Sequence, residues 1–363
     1  MKPHDVIVVG GGVIGLTTAY FLAKEGASVL LCDQGKVGME SSWAGAGIIP
    51  PSNPDHAQLP LDRLRALSSA NFPALSKELQ ERTGIDNGYV RCGGLEFGIE
   101  HAAMPADEWY GLGVTINRLS EKDVARMEPN IAANVGTALE IPEMAQLRNP
   151  HHVRALKAAC LSTGRFALRE DVPVSSLHCQ ANRVQGIRVG DEILSGGAVL
   201  VAAGAWTDRL LQPLGVHLKI EPVRGQIALL NPGAMLFRHI LISGAQYLVP
   251  RLDGRVLIGS TEEHVGFDKA TTAEAIDGLL ALGVRLVPRL AGAALERTWA
   301  GLRPGSPDGL PFLGPVPGVT GLCVAAGHFR AGIQLSIGTA ILLKEMLLGQ
   351  QPTMPADAFR LAR

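Results

Sequence analysis

The chain has 363 residues, with 33 basic side chains against 34 acidic ones and a formal net charge of −1. Hydrophobic residues at 47% and charged residues at 18% exclude a disordered chain, and the scattered, matched charges exclude the clustered Lys and Arg that a nucleic-acid partner requires. The length exceeds what one core usually holds, so two structural units are expected.

The predicted elements begin at the N-terminus. Asp5 to Val9 is a short β-branched run; Gly10-Gly11-Gly12-Val13-Ile14-Gly15 follows, and a helical pattern then carries Leu16, Ala19, Tyr20 and Leu22 to Gly26. The apolar stretch Val6 to Ala23 lacks a positive leader and is broken by glycines, so it reads as strand, turn and helix and not as a signal peptide. Ala27 to Cys32 is a second strand ending at Asp33, which completes a βαβ unit. The small, hydroxyl-rich segment Gly38 to Gly47 reads as a loop, and Ile48 to Asn53 as a stiff, bulky one at a pocket mouth.

Further along, His151-His152 reads as a solvated loop pair, because no carboxylate at ligand spacing completes a metal site. Gly197 to Ala203 is an apolar strand leading through Gly204-Ala205-Trp206 to a helix over Thr207 to Leu214. Arg251-Leu252-Asp253-Gly254-Arg255 places an Asp-Gly turn between strands Gln246 to Pro250 and Val256 to Ser260. Thr271 or Thr272 caps a helix through Ile276, Leu279 and Leu282 to Val287, which Pro288 stops. Leu322 to Ala326 is a last strand, and Ile333 to Leu348 is a buried helix, too short and too charged at Lys344 and Glu345 to span a bilayer. The five cysteines (Cys32, Cys92, Cys160, Cys179, Cys323) form no C-x-x-C pair, so no disulfide framework or zinc site is expected and a reducing cytoplasm is the natural compartment.

The strongest motif is Gly10, Gly12 and Gly15 between a strand and a helix, with Asp33 at the end of the next strand, about 20 residues on. Gly10 serves the tight turn, Gly12 the close approach of backbone N–H groups to a pyrophosphate, and Gly15 the packing of helix on strand. Asp33 accepts from a ribose and repels a 2′-phosphate, which argues against NADP; the motif itself does not choose between NAD and FAD.

Taken together, VIVVGGGVIGLTTAYFLA, SSWAGAGI, VLVAAGAW, PVRGQ, YLVPRLDGRVLIGSTEEHVGFD, WAGLRPGSPDGLPFLG and GHFRAGIQLS run in the order seen in the D-amino-acid oxidase superfamily of flavoproteins. Across almost its whole length the chain resembles that superfamily, and within it the bacterial glycine oxidases that supply thiamine biosynthesis. The resemblance implies an α/β fold, with a Rossmann-like FAD-binding domain of the glutathione-reductase type and a second, antiparallel-sheet-plus-helix domain for substrate. The expected division is residues 1–84, 142–218 and 299–363 for the first, and 85–141 and 219–298 for the second.

It also implies the site. FAD is expected against Gly10, Gly12, Val13, Ile14 and Gly15, against Asp33 and Gln34, and along Ser41, Ser42, Ala44, Gly45, Ala46 and Gly47. Val172 or Val174 is expected at the adenine, with Ala203, Gly204 and Trp206 near the pyrophosphate. Gly301, Arg303, His328, Arg330, Ala331, Gly332, Ile333 and Gln334 are expected around the flavin, where a helix N-terminus stabilises negative charge on the reduced ring. Monomeric sarcosine oxidases attach FAD through a cysteine, whereas Arg303 is followed here by Pro304, Gly305 and Ser306, so attachment is expected to be non-covalent.

Arg303 matches the carboxylate-binding arginine of the family and Tyr247 the tyrosine that assists it, and Arg330 stands beside the flavin. The implied reaction is oxidative deamination of glycine, sarcosine or a D-amino acid by hydride transfer to flavin N5, with reoxidation by dioxygen to hydrogen peroxide. His328 is not expected to act as a base. A D-amino-acid dehydrogenase passing electrons to a quinone and a non-catalytic dinucleotide-binding protein are the rival readings. A homo-oligomer stays open.

Overall fold

The computed structural model describes residues 4–98 and 106–363. Residues 99–105, within the segment expected to belong to the second unit, lie outside that description.

The first sheet has eight strands built around a parallel core. His4–Val9 lies between Glu192–Val201 and Val29–Cys32, and Phe166–Arg169 and Leu322–Ala326 extend the core on either side. Its central strands are continuous apolar runs because both faces are covered, one by helices and the other largely by the antiparallel strands Val174–Gln180 and Arg183–Val189. Val13–Lys24, Pro60–Thr83 and Asn149–Ser162 pack with the final helix Gly332–Leu347 into one cluster, which also takes in Val6, Val8, Leu31 and Leu200. The expected buried final helix is found, and among the described residues no helix is long and apolar enough to cross a membrane.

The second sheet, also of eight strands, is mostly antiparallel. Glu221–Asn231 pairs along its length with Ala294–Gly305, so the boundary expected at 298/299 falls inside a strand. The hairpin Gln246–Pro250 and Val256–Gly259 forms as the Asp-Gly turn requires, with Gly254 at φ +83°. Strand alternation sends Leu230, Leu241, Leu248 and Ile258 to one face, beneath helix Ala273–Leu286, whose N-cap Thr272 accepts from the Ala275 N–H. Leu279 on that helix is fully buried. Leu279→Ala is expected to lower unfolding free energy by about 2–5 kcal/mol, read from denaturant midpoints at unchanged slope.

Two expectations about local structure are corrected. Gly38 to Gly47 is not all loop, because Ser41–Ala44 forms a short helix. His151 and His152 are not in a loop; both lie in helix Asn149–Ser162, where His152 is fully buried and pairs through Nδ1 with Asn87 Nδ2 at 3.1 Å. Among the described residues no His, Cys, Asp and Glu group suits a metal ion.

Burial pushes His152 down to about 4 and His328 down to about 3, so both are neutral in the folded chain at pH 7. A histidine with a depressed folded pKa leaves stability intact above its unfolded value near 6.5, and destabilises as pH falls from there toward the folded value. Unfolding free energy is therefore expected to drop between pH 7 and pH 5, by roughly 2 kcal/mol per histidine. Urea titrations of wild type and His152→Gln at the two pH values check this; the variant is expected to lose about half of the drop.

Candidate active site

Between the two sheets lies a cavity of about 490 Å³. At one end it is walled by the turn after His4–Val9. Gly10 has φ +105°, and a Cβ there would lie 2.3 Å from the Ala202 carbonyl oxygen, so no side chain fits. Gly12 is the N-cap of helix Val13–Lys24 and offers no capping side chain; instead the Val13 N–H donates to Ser42 Oγ at 2.8 Å. Asp33 accepts from the Gly11 N–H at 2.6 Å and the Gly35 N–H at 2.9 Å, and burial raises its carboxyl above the usual value. Its lining position gives ligand hydroxyls an acceptor, and the helix N-terminus offers N–H groups to an anion.

Along the middle, the segment from Ser42 to Gly47 is pinned from outside by three side chains. Asn149 Nδ2 donates to the Ser42 carbonyl at 2.9 Å, Trp299 Nε1 to that of Ala44 at 3.0 Å, and Arg251 Nη2 to that of Ala46 at 2.8 Å. Arg251 is buried among neutral oxygens, and burial lowers its guanidinium to about 10, which leaves it charged at neutral pH. Gly45 and Gly47 have no room for a side chain, since a Cβ on either would fall within 3 Å of Asn149. The wall is thus held in place and bare of side chains at Gly45 and Gly47.

The second sheet closes the far end with its other face. Gly225, Ile227, Tyr247, Gly301 and Arg303 all project into the cavity, as the register Val223 to Arg303, Gly225 to Gly301 and Ile227 to Gly259 to Tyr247 dictates. Arg303 lies across Gly225, where a Cβ would meet Nη2 at 2.1 Å. Its Nη2 donates to Ser260 Oγ at 2.7 Å and its Nη1 to the Thr261 carbonyl at 3.1 Å, while Tyr247 is a further hydrogen-bonding partner. No carboxylate among the described residues pairs with it. Burial holds this guanidinium below its ordinary value. An unpaired, half-buried cation of this kind favours a small carboxylate ligand.

His328 lines the cavity too, but it is buried, neutral and hydrogen-bonded through Nε2 to Thr339 Oγ1 at 3.1 Å. The final helix follows, its N-cap Ala331 giving no side-chain cap, so first-turn N–H groups of Gly332 and Ile333 face the cavity they line.

The cavity brings together Gly10, Gly12, Val13, Ile14, Asp33 and Gln34 with Ser41, Ser42 and the stretch Ala44 to Gly47. Val174, Ala203, Gly204 and Trp206 line it as well, as do Gly301, Arg303, His328, Arg330, Gly332, Ile333 and Tyr247. Four expected residues do not line it. Gly15 sits in the first turn of the helix, packed so closely that a Cβ would lie 2.0 Å from the Gly10 carbonyl oxygen. Val172 stands behind Asp33, its N–H donating to the Asp33 carbonyl at 2.8 Å. Ala331 caps the final helix, and Gln334 turns its side chain away to the Pro50 carbonyl at 3.2 Å. Ser260, Gly225, Ile227, Phe329 and Arg209 line the cavity without having been anticipated. A glycine in mid-strand, such as Gly225, is the signal that was there to find, since it marks a close approach.

A glycine cradle at a helix N-terminus, a half-buried acid for a ribose and a pinned wall leading to a guanidinium without a carboxylate partner define a dinucleotide-dependent oxidoreductase, and the bare Gly10–Gly12 cradle fits the phosphates of FAD. The family profile described as FAD dependent oxidoreductase matches residues 5–346, and the chain belongs to that family. It is 38% identical to glycine oxidase of Pseudomonas putida over 352 residues, covering 96% of this chain and 95% of the relative. It is 32% identical to the hydrogen cyanide synthase subunit HcnC of Pseudomonas protegens over 98% of this chain and 95% of that one. The crystal structure of glycine oxidase from Geobacillus kaustophilus superposes with a TM-score of 0.92 at 32% identity, covering 100% of this chain and 99% of that one.

Proposed function

We propose that this enzyme carries out the oxidative deamination of a small amino acid, either glycine, sarcosine or a D-amino acid, with dioxygen as electron acceptor. The observation that carries the reading is the Arg303 guanidinium, half-buried beside Tyr247, unpaired with any carboxylate among the described residues and open to the same cavity as the phosphate cradle. The likeness to glycine oxidases supports it.

In this reading the N–H groups from Gly12 to Ile14 hold the FAD phosphates, Asp33 takes the adenosine ribose, and Val174 lies at the adenine. The segment Ser42 to Gly47 and residues Gly301, Gly332 and Ile333 surround the ring, which is held without a covalent bond. Bound FAD supplies the two-electron acceptance that oxidises the amine carbon–hydrogen bond and the return of those electrons to dioxygen as hydrogen peroxide.

The protein's own part is positioning. Arg303 grips the substrate carboxylate with its planar fork while Ser260 and the Thr261 carbonyl hold the fork still. Tyr247 adds its hydroxyl from strand Gln246–Pro250. The absent side chain of Gly225 makes room for the Arg303 guanidinium and that of Gly301 for Ala44, and burial strengthens the charge contact by excluding water. His328 takes no proton, because burial holds its imidazole down to about 3 and Nε2 is engaged with Thr339. The amine must therefore arrive unprotonated at the site, and turnover rises with pH as the free substrate loses its proton.

A panel of glycine, sarcosine, D-proline and other D-amino acids, read by peroxide release from purified protein in air, tests the proposal. Peroxide with at least one of them is expected. Turnover only with a dye or quinone would make the acceptor a quinone, and a flavin that no amino acid bleaches without oxygen would remove the activity altogether.

A further inference from the structure

Two arginines line the substrate end of the cavity, and their partners differ. Arg303 is held by neutral oxygens, whereas Arg330 donates through Nη1 to Glu262 Oε2 at 3.2 Å and through Nη2 to the Ala245 carbonyl at 2.8 Å. Burial, Tyr247, Arg330 and Glu262 all act on the Arg303 guanidinium, the Arg330 charge lowering its pKa and the Glu262 charge raising it, so the three charges form one group.

We propose that Glu262 sets the charge selectivity of the cavity. By occupying Arg330 it leaves Arg303, among the described residues at the substrate end, as the guanidinium without a carboxylate partner, which favours amino acids with one carboxylate over those with two. The inference rests on reading Arg303 as the holder of the substrate carboxylate.

The adjacent Glu263 does not share this task. It is committed to Arg224, Gln226 and Thr261 behind the cavity wall, and Asp268 joins Arg224 there. Glu262 and Arg330 are 44% and 37% exposed, so their ion pair adds little to folding and its effect is on local charge. Without Glu262, the Ala245 carbonyl still anchors Nη2 and keeps the guanidinium at the wall with Nη1 freed. A second carboxylate on the ligand would then find a cationic donor that the native chain withholds.

The test uses FAD-loaded wild type, Glu262→Gln and Glu262→Asp. For each, kcat/KM is measured for glycine or sarcosine and for iminodiacetate and D-aspartate, together with inhibition by acetate and by malonate. In Glu262→Gln the preference is expected to move toward dicarboxylates on the order of tenfold, carried by KM and by inhibition constants and weakened by salt. Glu262→Asp is expected to restore most of the native preference. Unaltered ratios for both substrates and inhibitors in Glu262→Gln would overturn the inference. If Arg303→Ala abolishes amino-acid turnover while Glu262→Gln changes no ratio, this inference alone fails; if wild type oxidises no amino acid and neither acid competes, the functional reading fails with it.

Discussion

Arg303→Ala is expected to give a yellow protein with native FAD content whose kcat/KM for its amino acid falls by about a hundredfold or more. One charge-assisted hydrogen bond contributes about 1.5–3 kcal/mol, equal to roughly a ten- to hundredfold change, and the fork supplies two such bonds to a carboxylate. The reacting carbon also loses its alignment, which reaches kcat as well as KM. FAD content is spared because the hydrogen bonds of Arg303 run to Ser260 and the Thr261 carbonyl on the second sheet, whereas the glycine cradle and Asp33 belong to the first. Arg303→Lys is expected to recover only part of the loss, since a point charge cannot grip both oxygens and cannot reach both of those neutral partners. The ratio of flavin to protein absorbance and steady-state kinetics decide the matter, and native kinetics in Arg303→Ala would take the residue out of the site.

The parts of this site that were legible in the sequence are those whose geometry is local. A strand, three glycines and a helix within residues 4–24 determine the cradle by themselves, and Asp33 follows from the length of the βαβ unit. The hairpin around Gly254 is legible for the same reason. The wall from Ser42 to Gly47 is not, because the carbonyls of Ser42, Ala44 and Ala46 are fixed by Asn149, Trp299 and Arg251, each far along the chain. The helix Pro60–Thr83 escaped notice because Pro73 interrupts its pattern and Asp62, Ser68 and Ser76 break the apolar run of its buried face. Ser68 is one of these; its Oγ accepts from the Gly338 N–H at 2.7 Å where the final helix crosses, so a residue typical of surfaces serves close packing. His152 misled in the same way, since its burial depends on Asn87 and on the ring of Phe72, which come from elsewhere in the chain.

Gly12→Val is expected to yield folded but colourless protein, and the neighbouring glycines show why this position separates binding from folding. At Gly10 a side chain would meet the Ala202 carbonyl oxygen at 2.3 Å in a positive-φ conformation, and at Gly15 it would meet the Gly10 carbonyl oxygen at 2.0 Å, so variants there break the sheet-to-helix packing itself. Gly12 has an ordinary extended backbone at φ −70°, and its Cβ would meet only Ser42 Oγ, at 3.1 Å. The branched side chain of valine therefore fits the chain, but it displaces the serine that receives the Val13 N–H and occupies the space at the helix N-terminus where a phosphate must approach. Affinity for FAD is expected to fall at least about a hundredfold, near 3 kcal/mol. Wild-type apoprotein and the variant should then unfold at similar temperatures, with added FAD raising only the former, because a ligand stabilises only the chain that binds it. A variant that keeps a full complement of flavin would show that the phosphates lie somewhere other than the turn after the first strand.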